Sequence, residues 1–132
     1  MKTILKVISI LMVILLFSVN AFALPVTINW DHLSKIVSEL SISNYGIASA
    51  SSSATFYDGD SISIEMNLQQ LKSNGWTTIK TWKGSGTVRC DVAGSWAVYS
   101  GYDYRVESIA RVYDSNGNEL EEGKVYSPIK HY

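Results

Sequence analysis

The stretch Ser61–Gln69 reads Ser-Ile-Ser-Ile-Glu-Met-Asn-Leu-Gln and places an apolar residue at every second position. A period of two residues is typical of a β-strand that buries one face and leaves the other in water. The apolar face consists of Ile62, Ile64, Met66 and Leu68. The stretch therefore predicts a strand of an antiparallel sheet with one face packed on a core.

The residues that follow this strand predict a hairpin. Lys72-Ser73-Asn74-Gly75 ends in Asn-Gly, a pair that readily accepts the positive φ angles of tight turns. The run Trp76–Trp82 then alternates again, and strict alternation puts both tryptophans on the face opposite Ile79.

Short alternating runs separated by turn residues continue to the end of the chain. Breaks are expected at Gly84–Gly86 and Ala93–Gly94, the longest run covers Tyr102–Val112, and a dense turn signal follows at Asp114–Asn118. This spacing predicts an all-β fold, an antiparallel β-sandwich of about seven strands over residues 40–132.

The segment Ile47–Phe56 contains no charged residue. Its alanines and Phe56 alternate with serines, which favours a strand, and a serine-rich linker over Ser49–Ser53 is the alternative.

The start of the chain is typical of a secretory signal peptide, residues 1–23. Lys2 and Lys6 precede the apolar run Val7–Val19, and Ala21-Phe22-Ala23 supplies the small residues of a cleavage site. We therefore expect a secreted, extracellular protein, with an uncleaved anchor as the alternative.

Residues 24–39 are interpreted as an N-terminal lead-in to the sandwich. Asp31 could cap a short helix whose apolar residues fall at helical spacing, namely Leu33, Ile36, Val37 and Leu40.

Length and charge exclude several classes of protein. The 132 residues fit one small domain. Removal of residues 1–23 leaves 109 residues, and because two lysines leave with them the formal net charge changes from −1 to −3. This balance argues against nucleic acid as a partner, and no membrane contact is expected after signal cleavage.

Few residues are suited to catalysis. His32 and His131 are the only histidines and lie near the ends of the mature chain, and Gly84-Ser85-Gly86 lacks the spacing of a nucleophile elbow. Cys90, the only cysteine, alternates with polar neighbours and is expected to point inward as a small apolar residue. The sequence predicts neither an enzyme nor a cofactor.

One segment offers oxygen ligands for calcium. Asp114, Asn116, Asn118 and Glu119 are closely spaced, but Gly117 does not stand where a calcium-binding helix-loop-helix requires its glycine. A hairpin turn explains the same residues, so no metal site is expected.

Aromatic residues are the remaining candidates for a binding site. The mature chain holds four tryptophans, eight tyrosines and Phe56. If Ile79 points inward, Trp76 and Trp82 form an exposed flat patch suited to stacking on a sugar ring or on a protein. Burial of both tryptophans in the sandwich is the alternative.

The segment Gly101–Ala110 resembles the penultimate strand of fibronectin type III domains, which carries a Gly-x-x-Tyr-x-Val-x-x-x-Ala pattern. The resemblance implies an immunoglobulin- or fibronectin type III-like sandwich. It also implies that Tyr104 forms a tyrosine corner, in which the hydroxyl bonds back to the backbone, and that Val106 and Ala110 lie in the core.

A wider resemblance covers about residues 40–128. The order of Leu68-Gln69, Asn74-Gly75-Trp76, Gly101–Val106 and Tyr126-Ser127 is similar to small secreted proteins of Gram-positive bacteria, chiefly clostridia and bacilli, whose function is unknown. This resemblance implies export and a β domain, and no activity.

These observations predict a non-catalytic extracellular binding module whose partner is a cell-wall glycan or an extracellular protein. The alternative is a secreted toxin, a bacteriocin-like protein or a self-assembling factor. The alternative depends on Ile47–Phe56, which would promote association if it were an exposed edge strand.

Overall fold

The computed structural model describes residues Asn29–Tyr132, and these residues form eight strands and no helix. The strands are β1 (Leu33–Ile42), β2 (Ile47–Phe56), β3 (Ser61–Lys72), β4 (Gly75–Gly86), β5 (Arg89–Ala97), β6 (Asp103–Tyr113), β7 (Glu119–Tyr126) and β8 (Lys130–His131). The predicted signal peptide lies outside the described residues. Within the described part, no helix could span a membrane.

The strands form two antiparallel sheets. One sheet has the order β1-β2-β5, and the other has the order β4-β3-β6-β7, with β8 pairing the beginning of β6. The apolar faces of the two sheets enclose one core. The predicted fold class, an antiparallel β-sandwich of about seven strands, is confirmed.

Alternation along β3 and β6 places the core residues. Ile62, Ile64, Met66 and Leu68 are at most 1% exposed, as predicted. Their partners on β6 are Val112, Ala110, Ser108 and Val106, which are also fully buried. Burial of this apolar surface is the main stabilising contribution to the fold.

The predicted helix near Asp31 is wrong, because the segment forms β1 and the sandwich begins at Leu33 rather than at residue 40. A β-bulge between Leu33 and Lys35 adds one residue to the strand. The buried positions are consequently Leu33, Ile36, Ser38 and Leu40, and the three-residue step at the bulge imitates helical spacing.

The expected break at Ala93–Gly94 is wrong, because both residues lie inside β5, and β4 continues through Gly84 to end at Gly86, just before the bend at residues 87–88. These glycines mark close approaches between the sheets instead. A Cβ atom on Gly84 would lie 2.8 Å from the Val92 side chain, and one on Gly94 would lie 2.3 Å from the Trp82 ring.

The serine-rich segment Ile47–Phe56 is a strand, as predicted, and not a linker. It is the central strand of its sheet, paired with β1 on one side and β5 on the other. The self-assembly alternative depended on this segment being an exposed edge strand, and a central strand does not meet that condition.

Candidate functional site

The structure separates the two tryptophans predicted to share a face. Trp82 is paired with Met66, so its side chain lies on the inner face of the sheet, whereas Trp76 is paired with Leu71 on the outer face. The cause is a β-bulge: Leu68 pairs with Lys80 and Gln69 pairs with Thr78, which leaves one extra residue on β4. Because one extra residue reverses the side-chain parity, the predicted joint patch of Trp76 and Trp82 is wrong.

Trp82 closes one side of the sandwich. Its indole lies against Gly94 of the opposite sheet, in the space that a side chain at that position would occupy. The ring is half-buried and packs on the hydrophobic core. Trp82 is thus placed for packing between sheets.

Trp76 belongs instead to a row of side chains that crosses the outer face of the five-stranded sheet. The Cζ atom of Arg105 on β6 lies 4.3 Å from the centroid of the Trp76 ring and 4.1 Å from that of Tyr126 on β7. Both distances are within the range of cation–π contacts. We refer to Trp76, Arg105 and Tyr126 as the aromatic row.

A hydrogen-bonded layer supports the aromatic row. The Arg105 Nε donates to Gln69 Oε1 at 2.8 Å, and the Tyr126 hydroxyl donates to Glu107 at 3.1 Å. Glu107 also accepts a hydrogen bond from the amide of Asn67. Since Asn67 and Gln69 are almost completely buried, these bonds hold the row in one arrangement.

The charge of Arg105 is not neutralised by an acid within the described chain, where no carboxylate oxygen lies within 4 Å of its side-chain nitrogens. The other two arginines are each paired with an acid. Arg89 forms an ion pair with Asp91, and Arg111 forms one with Glu122. The aromatic row therefore presents one cation and two aromatic rings on the outer face of the sheet, where Tyr126 is 46% exposed.

The residues implied by the fibronectin type III resemblance lie in the core. Tyr104, Val106 and Ala110 are all fully buried. The hydroxyl of Tyr104 donates a hydrogen bond to the carbonyl of Tyr99, five residues upstream, at 2.6 Å. This bond ties the Tyr99 backbone to β6. The relationship to fibronectin type III domains stays a prediction.

In the turn after β6, the carboxylate considered as a calcium ligand is hydrogen-bonded within the turn itself. The carboxylate of Asp114 accepts hydrogen bonds from the backbone amides of Asn116 and Asn118, each at 2.9 Å, and from the Asn118 side chain. These bonds lower the pKa of Asp114. The turn interpretation is confirmed. Among residues 29–132, no three His, Cys, Asp or Glu side chains are grouped to hold a metal ion.

The groups considered for catalysis are not members of the aromatic row. Cys90 is buried on β5, as predicted, and burial raises the pKa of its thiol. His131 contacts Asp103 at 2.7 Å near the carboxyl terminus, whereas His32 lies 3.6 Å from Asp58 near the start of β1. A buried thiol with a raised pKa is a poor nucleophile.

Comparisons with known proteins add little to this geometry. No protein-family model and no curated protein matches the sequence. Among solved structures, a β-glycosidase from Bacteroides vulgatus aligns with a TM-score of 0.44 and 19% sequence identity, over 69% of this chain and 12% of that chain. The chain thus corresponds to a small part of that protein, and no activity follows from the likeness.

Proposed function

We propose that this β-sandwich is a non-catalytic extracellular binding module that uses the aromatic row to bind a glycan bearing carboxylate groups. The observation that carries the proposal is the guanidinium of Arg105, which contacts the rings of Trp76 and Tyr126 and has no acidic partner in the described chain.

The chemistry of the row matches such a ligand. The apolar face of a sugar ring stacks on an aromatic side chain, and a guanidinium donates hydrogen bonds to a carboxylate in a two-pronged geometry. Nε is the Arg105 nitrogen that donates to a protein group, Gln69, so the two Nη nitrogens are left for a ligand. The support under the row reduces the entropy lost when a ligand binds.

The placement of the titratable residues supports a role without catalysis. Glu107, the acid that contacts the row, accepts hydrogen bonds from Asn67 and Tyr126 and forms an ion pair with Lys124, so its carboxylate oxygens are engaged within the protein. The secreted location rests on the signal-peptide pattern of residues 1–23.

The proposal is tested by affinity electrophoresis in gels containing a uronic acid polymer, with a neutral glucan as the parallel matrix, and by retention on purified Gram-positive cell wall. The wild type is expected to be retarded by the acidic polymer and not by the neutral one. Arg105→Gln and Trp76→Ala should each weaken binding at least about tenfold, equivalent to about 1.4 kcal/mol.

Two matched variants control for general effects. Arg89→Gln removes a cation that is already paired with Asp91 on the other sheet, and Tyr57→Ala removes an aromatic ring that is 76% exposed just after the end of β2. Neither variant should change retention. Equal retention of Arg105→Gln and the wild type, with both proteins folded, would refute the proposed function.

A further inference from the structure

A second surface, separate from the aromatic row, lies where the free edges of β4 and β5 separate. The two strands meet near their connection, where Gly84 lies against Val92. Farther from the connection Trp82 fills the gap by packing on Gly94. Beyond Trp82, the edge of β5 is uncovered.

A cleft opens at that position. It has a volume of about 450 Å³ and is lined by Trp96, Ala97, Val98 and Tyr99. Trp96 is 43% exposed and Tyr99 is 81% exposed. We call this the edge cleft. Its volume is in the range of small ligand pockets, about 300–1,000 Å³.

A cation stands over the edge cleft. The ammonium nitrogen of Lys80 lies 4.5 Å from the centroid of the Trp96 ring. In the described chain no carboxylate lies within 4 Å of Lys80, whereas Lys83 on the same strand pairs with Glu65 at 3.2 Å. Lys80 is therefore free to receive an anionic group.

The backbone of β5 also offers hydrogen-bonding groups at this position. The amide of Val98 donates to Gly46 on the side of β2. In an antiparallel pair successive residues point their backbone groups to opposite sides. The N–H and C=O of Ala97 are consequently directed away from β2, toward the uncovered edge.

We propose that the edge cleft binds the carboxyl-terminal end of an extended peptide. The peptide backbone pairs with the edge of β5 at Ala97, its terminal carboxylate contacts the ammonium of Lys80, and an apolar side chain near its end packs against Trp96 and Tyr99. This inference goes beyond the proposed glycan binding and uses different residues.

The three features together select this ligand class. An unpaired strand edge recognises extended backbone, and pockets beside the edge recognise side chains. The free ammonium of Lys80 can pair with an anion, and a terminal carboxylate supplies one directly beside the last peptide group. A sugar could also contact the ammonium and the aromatic ring. It has no extended peptide backbone, however, so it would leave the N–H and C=O of Ala97 without the hydrogen bonds that an adjacent strand supplies.

The test compares two probes that differ only in the terminal charge, namely an N-acetylated five-residue peptide of alanine and valine with a free carboxylate and the same peptide amidated. Binding is measured by calorimetry and by NMR shifts of the Trp96 indole N–H in the full-length secreted protein. The free acid should bind at least about tenfold tighter than the amide.

Variants assign the roles of the three features. Lys80→Met should remove the preference for the free acid, whereas Lys83→Met, a change of the same kind at a paired lysine, should retain it. Ala97→Pro removes the N–H directed to the edge, a change that edge strands tolerate, and should weaken both probes.

Two results would overturn the inference, namely equal binding of acid and amide to the wild type, or an unchanged preference in a folded Lys80→Met variant. Absence of binding by either probe at millimolar concentration would overturn it as well. Because Arg105 and Trp76 are not in the edge cleft, glycan retention by the same preparations shows independently whether the proposed function fails.

Discussion

Glu121 on β7 offers a sharp test of how the first strand is attached to the rest of the sandwich. Its carboxylate accepts hydrogen bonds from the backbone amides of three successive residues, Asp31, His32 and Leu33. The bonds from Asp31 and His32 are each 2.9 Å long. We predict that Glu121→Gln destabilises the protein because an amide side chain retains one acceptor oxygen in place of two.

The size of the effect follows from the hydrogen bonds. A hydrogen bond to a charged group contributes about 1.5–3 kcal/mol, and partial exposure to solvent reduces this contribution. Loss of the charge and of one acceptor should cost about 2 kcal/mol in the free energy of unfolding. For a domain of roughly 100 residues, this corresponds to a Tm lower by about 10 °C.

The effect should depend on pH in a defined direction. Burial raises the pKa of Glu121, but the amide donors of Leu33, Asp31 and His32 lower it more strongly, so the net shift is downward. A carboxyl group with a lowered folded-state pKa stabilises the fold above its unfolded-state pKa, about 4.3, and this stability is lost as the pH falls through the folded-state value. The difference between variant and wild type should therefore be largest near neutral pH.

Urea unfolding followed by tryptophan fluorescence, at neutral pH and in acid, measures both quantities. Glu122→Gln is the matched control, since this neighbouring acid pairs with Arg111 on the surface and should contribute less than about 1 kcal/mol. The reasoning is refuted if the two variants are equally stable at neutral pH, or if the deficit of Glu121→Gln is undiminished in acid.

Three further outcomes are expected from the packing. Gly94→Ala should reduce stability by about 1–3 kcal/mol in urea unfolding, because its Cβ would lie 2.3 Å from the Trp82 ring, and the cost should be smaller in a Trp82→Ala background. Tyr104→Phe should lose about 1 kcal/mol by the same measurement, since the hydrogen bond to Tyr99 disappears; an unchanged midpoint would contradict this. Cys90 should react with an aromatic disulfide reagent only after urea is added, because the thiol is buried and burial raises its pKa, and rapid reaction of the native protein would count against the assigned packing.

Local patterns predicted most strands and the buried face of β3. The bulges account for two errors. One extra residue in β1 produced a helix-like spacing, and one extra residue in β4 moved Trp82 from the predicted outer face to the inner face. These bulges carry no clear signature in the sequence, because neither bulged residue, Ser34 or Ile79, is a glycine that would mark the irregularity.

The glycines account for a different error. Gly84 and Gly94 were expected to end strands, since glycine is typical of turns. In the structure they provide room for side chains of the facing sheet, Val92 and Trp82 respectively. Such a role depends on residues distant along the chain and cannot be read from the neighbours of a glycine.

The candidate sites likewise depend on contacts between residues that are distant along the chain. Sequence patterns did not single out Arg105, because its contacts with Trp76 and Tyr126 join β4, β6 and β7, which only the sheet order brings together. Lys80 and Trp96 likewise come from two different sheets and meet only where the edges of β4 and β5 separate.

By itself the sequence determined the β-sandwich, the turn at Asp114–Asn118 and the inward face of β3, because alternation and turn chemistry act between residues close in the chain. Only the tertiary structure decided which aromatic and cationic side chains meet, since a single bulge reverses the face of every residue beyond it and the sheet order selects the neighbours.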